Sequence, residues 1–196
     1  ILAVTDLSAA ARHAAYRAAR LPHETGAALT LMHAMPGSSL FELRSWFGAG
    51  SDMEQRLQAG TRQQLGQLAA DLQATRHVAV RQAHAAGAPL DEIVREAQAL
   101  DARLLVVGAR GTGFLRRLVL GTTSERLLRR TMRPVLVVRQ TAHEPYRRAL
   151  VALDFSPWSL RAVAVARQVA PHAQLVLVNA FQVPFEEKLR FAGVDD

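Results

Sequence analysis

The sequence predicts a doubly wound α/β fold, in which helices cover both faces of an open parallel β-sheet. Strand-like and helix-like segments alternate along the chain, and its central strands are continuous apolar runs such as residues 104–107. Such runs are typical of strands that are buried on both faces of a parallel sheet. A glycine-rich segment follows the fourth strand, where ligands bind in folds of this class.

The predicted elements are five strands and four helices. Ser8 is a candidate N-cap of the first helix, and Pro89 stands in the first turn of a later one. The strands are expected at residues 1–5, 28–33, 77–82, 104–107 and 134–138. Apolar residues at helical spacing are expected to face inward: Ala11, Ala14, Ala15, Ala18 and Leu21 in the first helix, Met53, Leu57, Leu65, Leu68 and Leu72 in the second, and Leu90, Ile93, Val94 and Ala97 in the third. Residues 36–51, rich in Gly and Ser, are expected to form a mobile loop in which Trp46 and Phe47 act as a hydrophobic clamp, with an exposed partner site as the alternative.

Composition excludes several classes of protein. The 196 residues contain no cysteine, which excludes disulfides, zinc–thiolate sites and thiol catalysis. No apolar run approaches the roughly 20 residues of a membrane span, and no secretory signal is visible, so a cytoplasmic location is expected. The chain starts at Ile1 rather than methionine, from which we expect that the natural N-terminus is missing.

The net charge of +7 comes almost entirely from arginine, so nucleic acid must be considered as a partner. The arginines are spread over the predicted helices, and one dense group lies at the end of the helix that follows the glycines. There the positive charges complement the helix dipole, which makes a nucleic-acid face the weaker interpretation and leaves contact with an anion or a partner open. This group consists of Arg126, Arg129, Arg130 and Arg133.

The glycine-rich segment carries the strongest functional signal. Gly108 closes the fourth strand, Gly111 follows it, and Gly121-Thr122 opens a helix. A strand, a glycine loop and a helix N-terminus can together hold phosphate through backbone N–H groups. A P-loop is excluded because the chain's one lysine, Lys188, is far from any glycine loop, and the dinucleotide fingerprint fails at Arg116.

Two structural alternatives remain for these residues. The glycines could serve only as turn residues, and Thr122 with Glu125 fits a capping box that would compete with an anion for the helix N–H groups. Asp6 could merely cap the first helix, and His33 is interpreted as a packed residue at the end of its strand.

The opening pattern of the chain recurs after residue 145. Asp154-Phe-Ser156 matches Asp6-Leu-Ser8, and each is followed by a helix and a second strand. We therefore predict a domain at residues 1–140, a linker at 141–145 and an incomplete second repeat at 146–196. One strand–helix–strand unit buries too little surface to be stable alone, so the chain is truncated, continues unseen, or packs on another sheet.

These residues together resemble the universal stress proteins, in particular the nucleotide-binding branch with the pattern Gly-x2-Gly-x9-Gly-Ser/Thr. The resemblance covers residues 1–139 completely and residues 146–181 as a partial second copy, as in tandem members. It implies a Rossmann-like sheet with strand order 3-2-1-4-5. The pair Ala109-Arg110 departs from the Ser/Thr-His pair that is common in relatives, which leaves the preferred nucleotide open.

The resemblance also implies a ligand and the residues that hold it. The ligand is ATP, or AMP or another adenine nucleotide, with Mg²⁺ or Mn²⁺ on the phosphates and Asp6 near the metal. Asp6 is implied at the ribose, Ala34 and Val107 at the base, and Gly108 beside the ribose. The full set of implied binding residues is Thr5, Asp6, Ala34, Val107, Gly108, Gly111, Gly121, Thr122 and Thr123.

The function implied is a stress-response sensor or regulatory module that binds ATP and an unidentified partner protein. Hydrolysis is expected to be slow or absent, because no general base pairs with a nucleophile and no lysine neutralises a γ-phosphate. In the family the fifth strand, Val135–Val138, pairs between two copies, so a homodimer or a pseudo-dimer of the two repeats is expected. The alternative is a nucleotide-independent dimeric scaffold that works through protein contacts.

Overall fold

The computed structural model divides the chain into two units, each with its own sheet. The structure describes residues 1–48, 52–109, 122–141 and 143–181. The first unit is Ile1–Pro145 and the second is Tyr146–Asp196. In the described residues, no helix has the length and apolar character needed to cross a bilayer.

As far as the structure describes it, the first unit contains the five predicted strands in order, but six helices lie between them rather than the predicted four. Its strands are β1 (Leu2–Val4), β2 (Leu29–Pro36), β3 (Val80–Gly87), β4 (Leu105–Gly108) and β5 (Val135–Val138). Its helices are α1 (Ala9–Ala18), α2 (Leu21–Thr25), α3 (Gly37–Phe47), α4 (Asp52–Arg76), α5 (Pro89–Ala99) and α6 (Thr122–Arg130). Of these, α2 and α3 are additional to the prediction.

All five strands of this unit are parallel, and their order is β3-β2-β1-β4-β5. The predicted fold and strand order are therefore confirmed. The order reverses at β1, because the chain runs from β1 to β2 and β3 on one side and to β4 and β5 on the other. Right-handed crossovers then place α1 and α4 on one face and α5 and α6 on the opposite face.

Alternation along the strands divides the core between these two faces. On the α5/α6 face, Met32, Leu105 and Val107 pack with Ile93 of α5 and Leu127 of α6. On the other face, the whole predicted stripe of α1 is buried, as is Leu21. Small alanines in α1 let this helix lie close to β1 and β4, because they add no bulk at the contact.

Two predicted helix starts are confirmed by their geometry. The Ser8 hydroxyl accepts a hydrogen bond from the backbone N–H of Ala11 at 3.2 Å, as an N-cap does. Pro89 stands at the first position of α5, where its missing N–H removes no helical hydrogen bond.

The loop predicted at residues 36–51 was wrong, because α3 occupies Gly37–Phe47. Residues 37–39, which are Gly, Ser and Ser, lie in its first turn, and Glu42, Leu43 and Arg44 are good helix formers. The Arg44 guanidinium also binds the buried carboxylate of Glu54 in α4, with the closest contact at 2.7 Å. This bond raises the pKa of Arg44 and ties α3 to α4.

The clamp predicted for Trp46 was also wrong, because its side chain is 74% exposed on α3. The side chain of Phe47 lies outside the described residues. In α4, Leu65, Leu68 and Leu72 are buried as predicted, whereas Met53 and Leu57 are exposed. The first turns of α4 contact α3, so the inward stripe begins later than its periodicity suggests.

The third strand begins later than predicted, at Val80 rather than at residue 77. His77 adopts φ +49°, a left-handed conformation that ends the preceding helix. The strand then continues to Gly87, although alanine and glycine are weak strand formers, because it pairs with β2 along its full length.

The second unit contains β6 (Arg148–Leu153), α7 (Pro157–Val169) and β7 (Gln174–Asn179). β6 and β7 pair in parallel. Ser156 caps α7 by accepting a hydrogen bond from the N–H of Ser159 at 3.2 Å. Of the residues in α7, none is buried in this unit.

The predicted linker 141–145 belongs to the first unit, and side chains of α1 and of Arg20, which follows that helix, hold it there. The Arg17 guanidinium donates to the Glu144 carbonyl at 3.0 Å, and that of Arg20 donates to the His143 carbonyl at 3.1 Å. The Oγ1 atom of Thr141 and the Nδ1 atom of His13 lie 2.7 Å apart, within hydrogen-bonding distance.

The turn before α7 lowers the pKa of Asp154, which can be tested. Hydrogen bonds from the Ser156 hydroxyl and N–H lower the pKa of Asp154 from 3.8 to about 2. Because the folded pKa is lowered, the turn's stabilising effect is present above pH 3.8 and is lost as the pH falls through about 2. We expect the carboxyl carbon of Asp154 to titrate near pH 2 by NMR, and Ser156→Ala to move its midpoint toward 3.8. A wild-type midpoint near 3.8 would contradict this account.

Candidate functional site

The candidate site begins with a tight turn at the carboxyl end of β1. Thr5 is buried, and its Oγ1 accepts a hydrogen bond from the N–H of Leu7 at 2.9 Å. Asp6 is exposed, and its Oδ1 accepts from the Ser8 N–H at 3.0 Å and from the Ser8 hydroxyl at 2.5 Å. Leu7 adopts φ +65° between them, an uncommon conformation for a branched residue. These bonds hold the Asp6 carboxylate at the sheet edge.

The neighbouring strand β2 places a histidine and an alanine next to this turn. The Nδ1 atom of His33 donates a hydrogen bond to the Thr5 carbonyl at 2.8 Å, since a carbonyl can only accept. This contact accords with a structural role for His33. Ala34 points to the opposite face, among the buried side chains of the α5/α6 layer.

The carboxyl end of β4 meets the beginning of α6. Val107 is buried, and the carbonyl of Gly108 accepts a hydrogen bond from the Ser124 hydroxyl at 2.8 Å. The helix begins at Thr122, so its first turn lies beside the end of β4, and Thr123 is exposed there. Gly111 and Gly121, with Arg110, lie outside the described residues, as does the side chain of Thr122.

Charged side chains of α6 and of the residues after it form ion pairs within the first unit. Glu125 pairs with Arg129 at 2.8 Å, one turn farther from the helix start. Arg130 pairs with Asp91 of α5 at 2.6 Å, and Arg133 pairs with Asp101 at 3.2 Å. Three of the four clustered arginines thus contact carboxylates of their own unit, which fits an ion-paired surface better than a nucleic-acid face.

The sheet order brings the predicted residues from three strands to one edge. Because β1 lies between β2 and β4, the ends that carry Asp6, Ala34 and Gly108 are adjacent. Among the residues that the structure describes, no three histidine, aspartate or glutamate side chains are grouped so that they could hold a metal ion.

Two contacts of this site have no strong signal in the sequence. Ser124 is one of several hydroxyl residues in the segment, and its bond to Gly108 depends on how α6 docks on β4. The bond between His33 and Thr5 joins residues 28 positions apart and depends on the pairing of β1 with β2.

The fold is similar to solved universal stress proteins. One from Archaeoglobus fulgidus is 20% identical with a TM-score of 0.70, covering 97% of this chain and 69% of that one. UspA from Lactobacillus plantarum is 23% identical with a TM-score of 0.60, covering 70% of this chain and 95% of that one. A universal stress protein in complex with cAMP is also 23% identical, with a TM-score of 0.52 and coverage of 70% and 94%.

Sequence comparison finds a family match within the first unit. Among curated proteins, none matches the chain significantly. The model of the universal stress protein family matches residues 1–139, which include the whole five-stranded sheet. The chain therefore belongs to the universal stress protein family.

Proposed function

We propose that the first unit binds an adenine nucleotide, ATP with Mg²⁺ or Mn²⁺ in particular, and acts as a sensor or regulatory module in a stress response. The observation that carries the proposal is the meeting of three strand ends with the start of α6. A universal stress protein of the same fold is described in complex with cAMP, which is also an adenine nucleotide.

Each part of the nucleotide has a suitable counterpart at this edge. The backbone at Ala34 and the position of Val107 suit the base, because both residues lie near the carboxyl ends of the strands that flank β1. The carboxylate of Asp6, already oriented by Ser8, suits a ribose hydroxyl as an acceptor. Thr5 supports this carboxylate through its bond to Leu7, and Gly108 lies beside it with no side chain to obstruct the sugar.

The phosphates are assigned to the start of α6 and the glycines before it. Gly111, Gly121, Thr122 and Thr123 belong to this part of the proposed site. A helix N-terminus attracts anions through its dipole and its free N–H groups. The pairing of Glu125 with Arg129 supports the assignment, because a carboxylate folded over the helix start would repel phosphate.

The proposed regulatory role includes assembly through β5. This strand ends the sheet, so its outer edge is available to pair with a second strand and form a homodimer. Hydrolysis is proposed to be slow or absent, since the described edge pairs no general base with a nucleophile. An unidentified partner protein would then read the nucleotide-bound state.

The second unit is proposed to be a partial repeat of the first. Asp154 accepts from the Ser156 N–H and hydroxyl at 3.0 and 2.6 Å, within 0.1 Å of the distances in the Asp6 turn. The intervening Phe155 adopts φ +61°, close to the value at Leu7. Two turns with the same aspartate–serine hydrogen bonds and a similar positive φ at the middle residue favour duplication of one ancestral unit.

Calorimetric titration of the full chain tests the proposal. ATP with Mg²⁺ should bind with a micromolar dissociation constant, and AMP and cAMP should reveal how much the phosphates contribute. GTP is the control, since a site that recognises adenine should bind it at least tenfold more weakly. If a folded, dimeric chain binds none of the adenine nucleotides, the nucleotide-independent scaffold becomes the better account.

A further inference from the structure

A cavity lies on the face of the sheet opposite to that of Ala34 and Val107. It is formed where α4 crosses the ends of β2 and β3, and its volume is about 120 Å³. A single water needs only ~10–15 Å³ of such space, so the cavity has room for a small polyatomic ligand. Its polar lining consists of His33, Gln58, Thr61, Arg62 and His84.

The register of the two strands brings the histidines together. His33 and His84 are direct neighbours in the pairing of β2 with β3. Because side chains alternate along strands, both rings lie on the face that α4 covers. Helical spacing brings Gln58, Thr61 and Arg62 of α4 to the same place, since residues three and four apart share a face.

The lining includes the guanidinium of Arg62, and no carboxylate stands among the lining residues in the part of the chain that the structure describes. The nearest acidic residue along α4, Glu54, binds the Arg44 guanidinium at 2.7 Å and the Gln58 amide at 3.3 Å. Thr61 donates its hydroxyl proton to the Leu57 carbonyl, so its oxygen is an acceptor here. The donors that remain for a ligand are those of Arg62, His84 and the second Gln58 N–H.

The electrostatic environment of His84 supports this description. Partial burial and the positive charges of Arg62 and His33 lower the pKa of His84. The titratable groups of the lining are His33 from β2, Arg62 from α4 and His84 itself, and none of them carries negative charge. A bound anion would oppose this effect, because a nearby negative charge favours the protonated form of His84.

We propose that this cavity binds a small oxyanion, held by the guanidinium of Arg62 and the ring of His84. Inorganic phosphate and sulfate are its simplest representatives. Arginine suits this ligand because its planar fork donates two parallel hydrogen bonds to an oxyanion. The cavity shares His33 with the candidate nucleotide site, whereas Arg62 of α4 and His84 of β3 lie on elements that the nucleotide proposal does not use.

NMR titration of the full chain with sodium phosphate, at constant ionic strength, tests the proposal. The ring signals of His84 should shift with saturation, and Arg62→Gln should weaken binding at least tenfold. Arg56→Gln is the matched control, because Arg56 lies on the same helix and pairs with Asp52 instead. That variant should change affinity less than twofold. Both arginines are exposed, so neither change should unfold the chain.

A pH series with sulfate adds an independent readout, because sulfate keeps its double charge throughout. Affinity should rise from about pH 8 to about pH 5 as His84 gains a proton, and His84→Gln should flatten this dependence. The proposal is overturned if the His84 signals do not saturate, if Arg56→Gln weakens binding as much as Arg62→Gln, or if only signals of α6 respond. The last outcome would place the anion at the nucleotide edge.

Discussion

Replacing Leu127 by alanine is expected to lower the free energy of unfolding of the first unit by about 3 kcal/mol. Leu127 is 0% exposed and lies in the core cluster that joins α6 to β4 and α5. Its removal leaves a cavity between elements that are held by several other contacts, so the neighbours cannot close the gap fully. The same change loosens α6, whose first turn contributes to the proposed phosphate site.

The next residue of the chain provides the control. Leu128 lies on the same helix but is 44% exposed, so Leu128→Ala makes the same chemical change with little loss of packing. We expect it to cost less than about 1 kcal/mol. Urea unfolding followed through amide signals of β1 and β4 isolates the first unit from the second. Equal losses for the two variants would contradict the packing of α6 described above.

The fold could be predicted because most of its elements combine a local signal with burial. The stripe of α1, the cap at Ser8 and the apolar run of β4 each specify one element without reference to distant residues. The strand order, by contrast, was predicted from the family resemblance. That order reverses at β1, and the reversal determines where the site lies.

The errors arose where distant contacts decide local structure. α3 depends on the bond between Arg44 and Glu54, which no local pattern announces. The position of β3 depends on pairing with β2 and on the left-handed residue His77. The oxyanion cavity was missed for the same reason, since His33, Arg62 and His84 meet only when strand register and helix rotation are both known.

The two aspartate turns allow the nucleotide proposal to be tested with a matched pair of variants. Asp6→Ala and Asp154→Ala each remove a carboxylate that accepts two hydrogen bonds from a serine two residues later. Both aspartates are exposed, so neither change leaves a cavity. The local effect of the two changes on the turn and on the following helix should therefore be similar.

Their effects on ligand binding should differ strongly. Asp6 stands next to the ends of β2 and β4, whereas β6, which precedes Asp154, pairs in its own sheet only with β7. Loss of a ribose contact to a charged acceptor is worth about 1.5–3 kcal/mol, so Asp6→Ala should weaken ATP binding roughly ten- to hundredfold. Asp154→Ala should bind ATP like the wild type. Both variants lose the same turn hydrogen bonds, so a difference between their affinities for ATP reports the ligand contact alone. If both variants weaken ATP binding equally, or neither does, Asp6 does not hold the nucleotide.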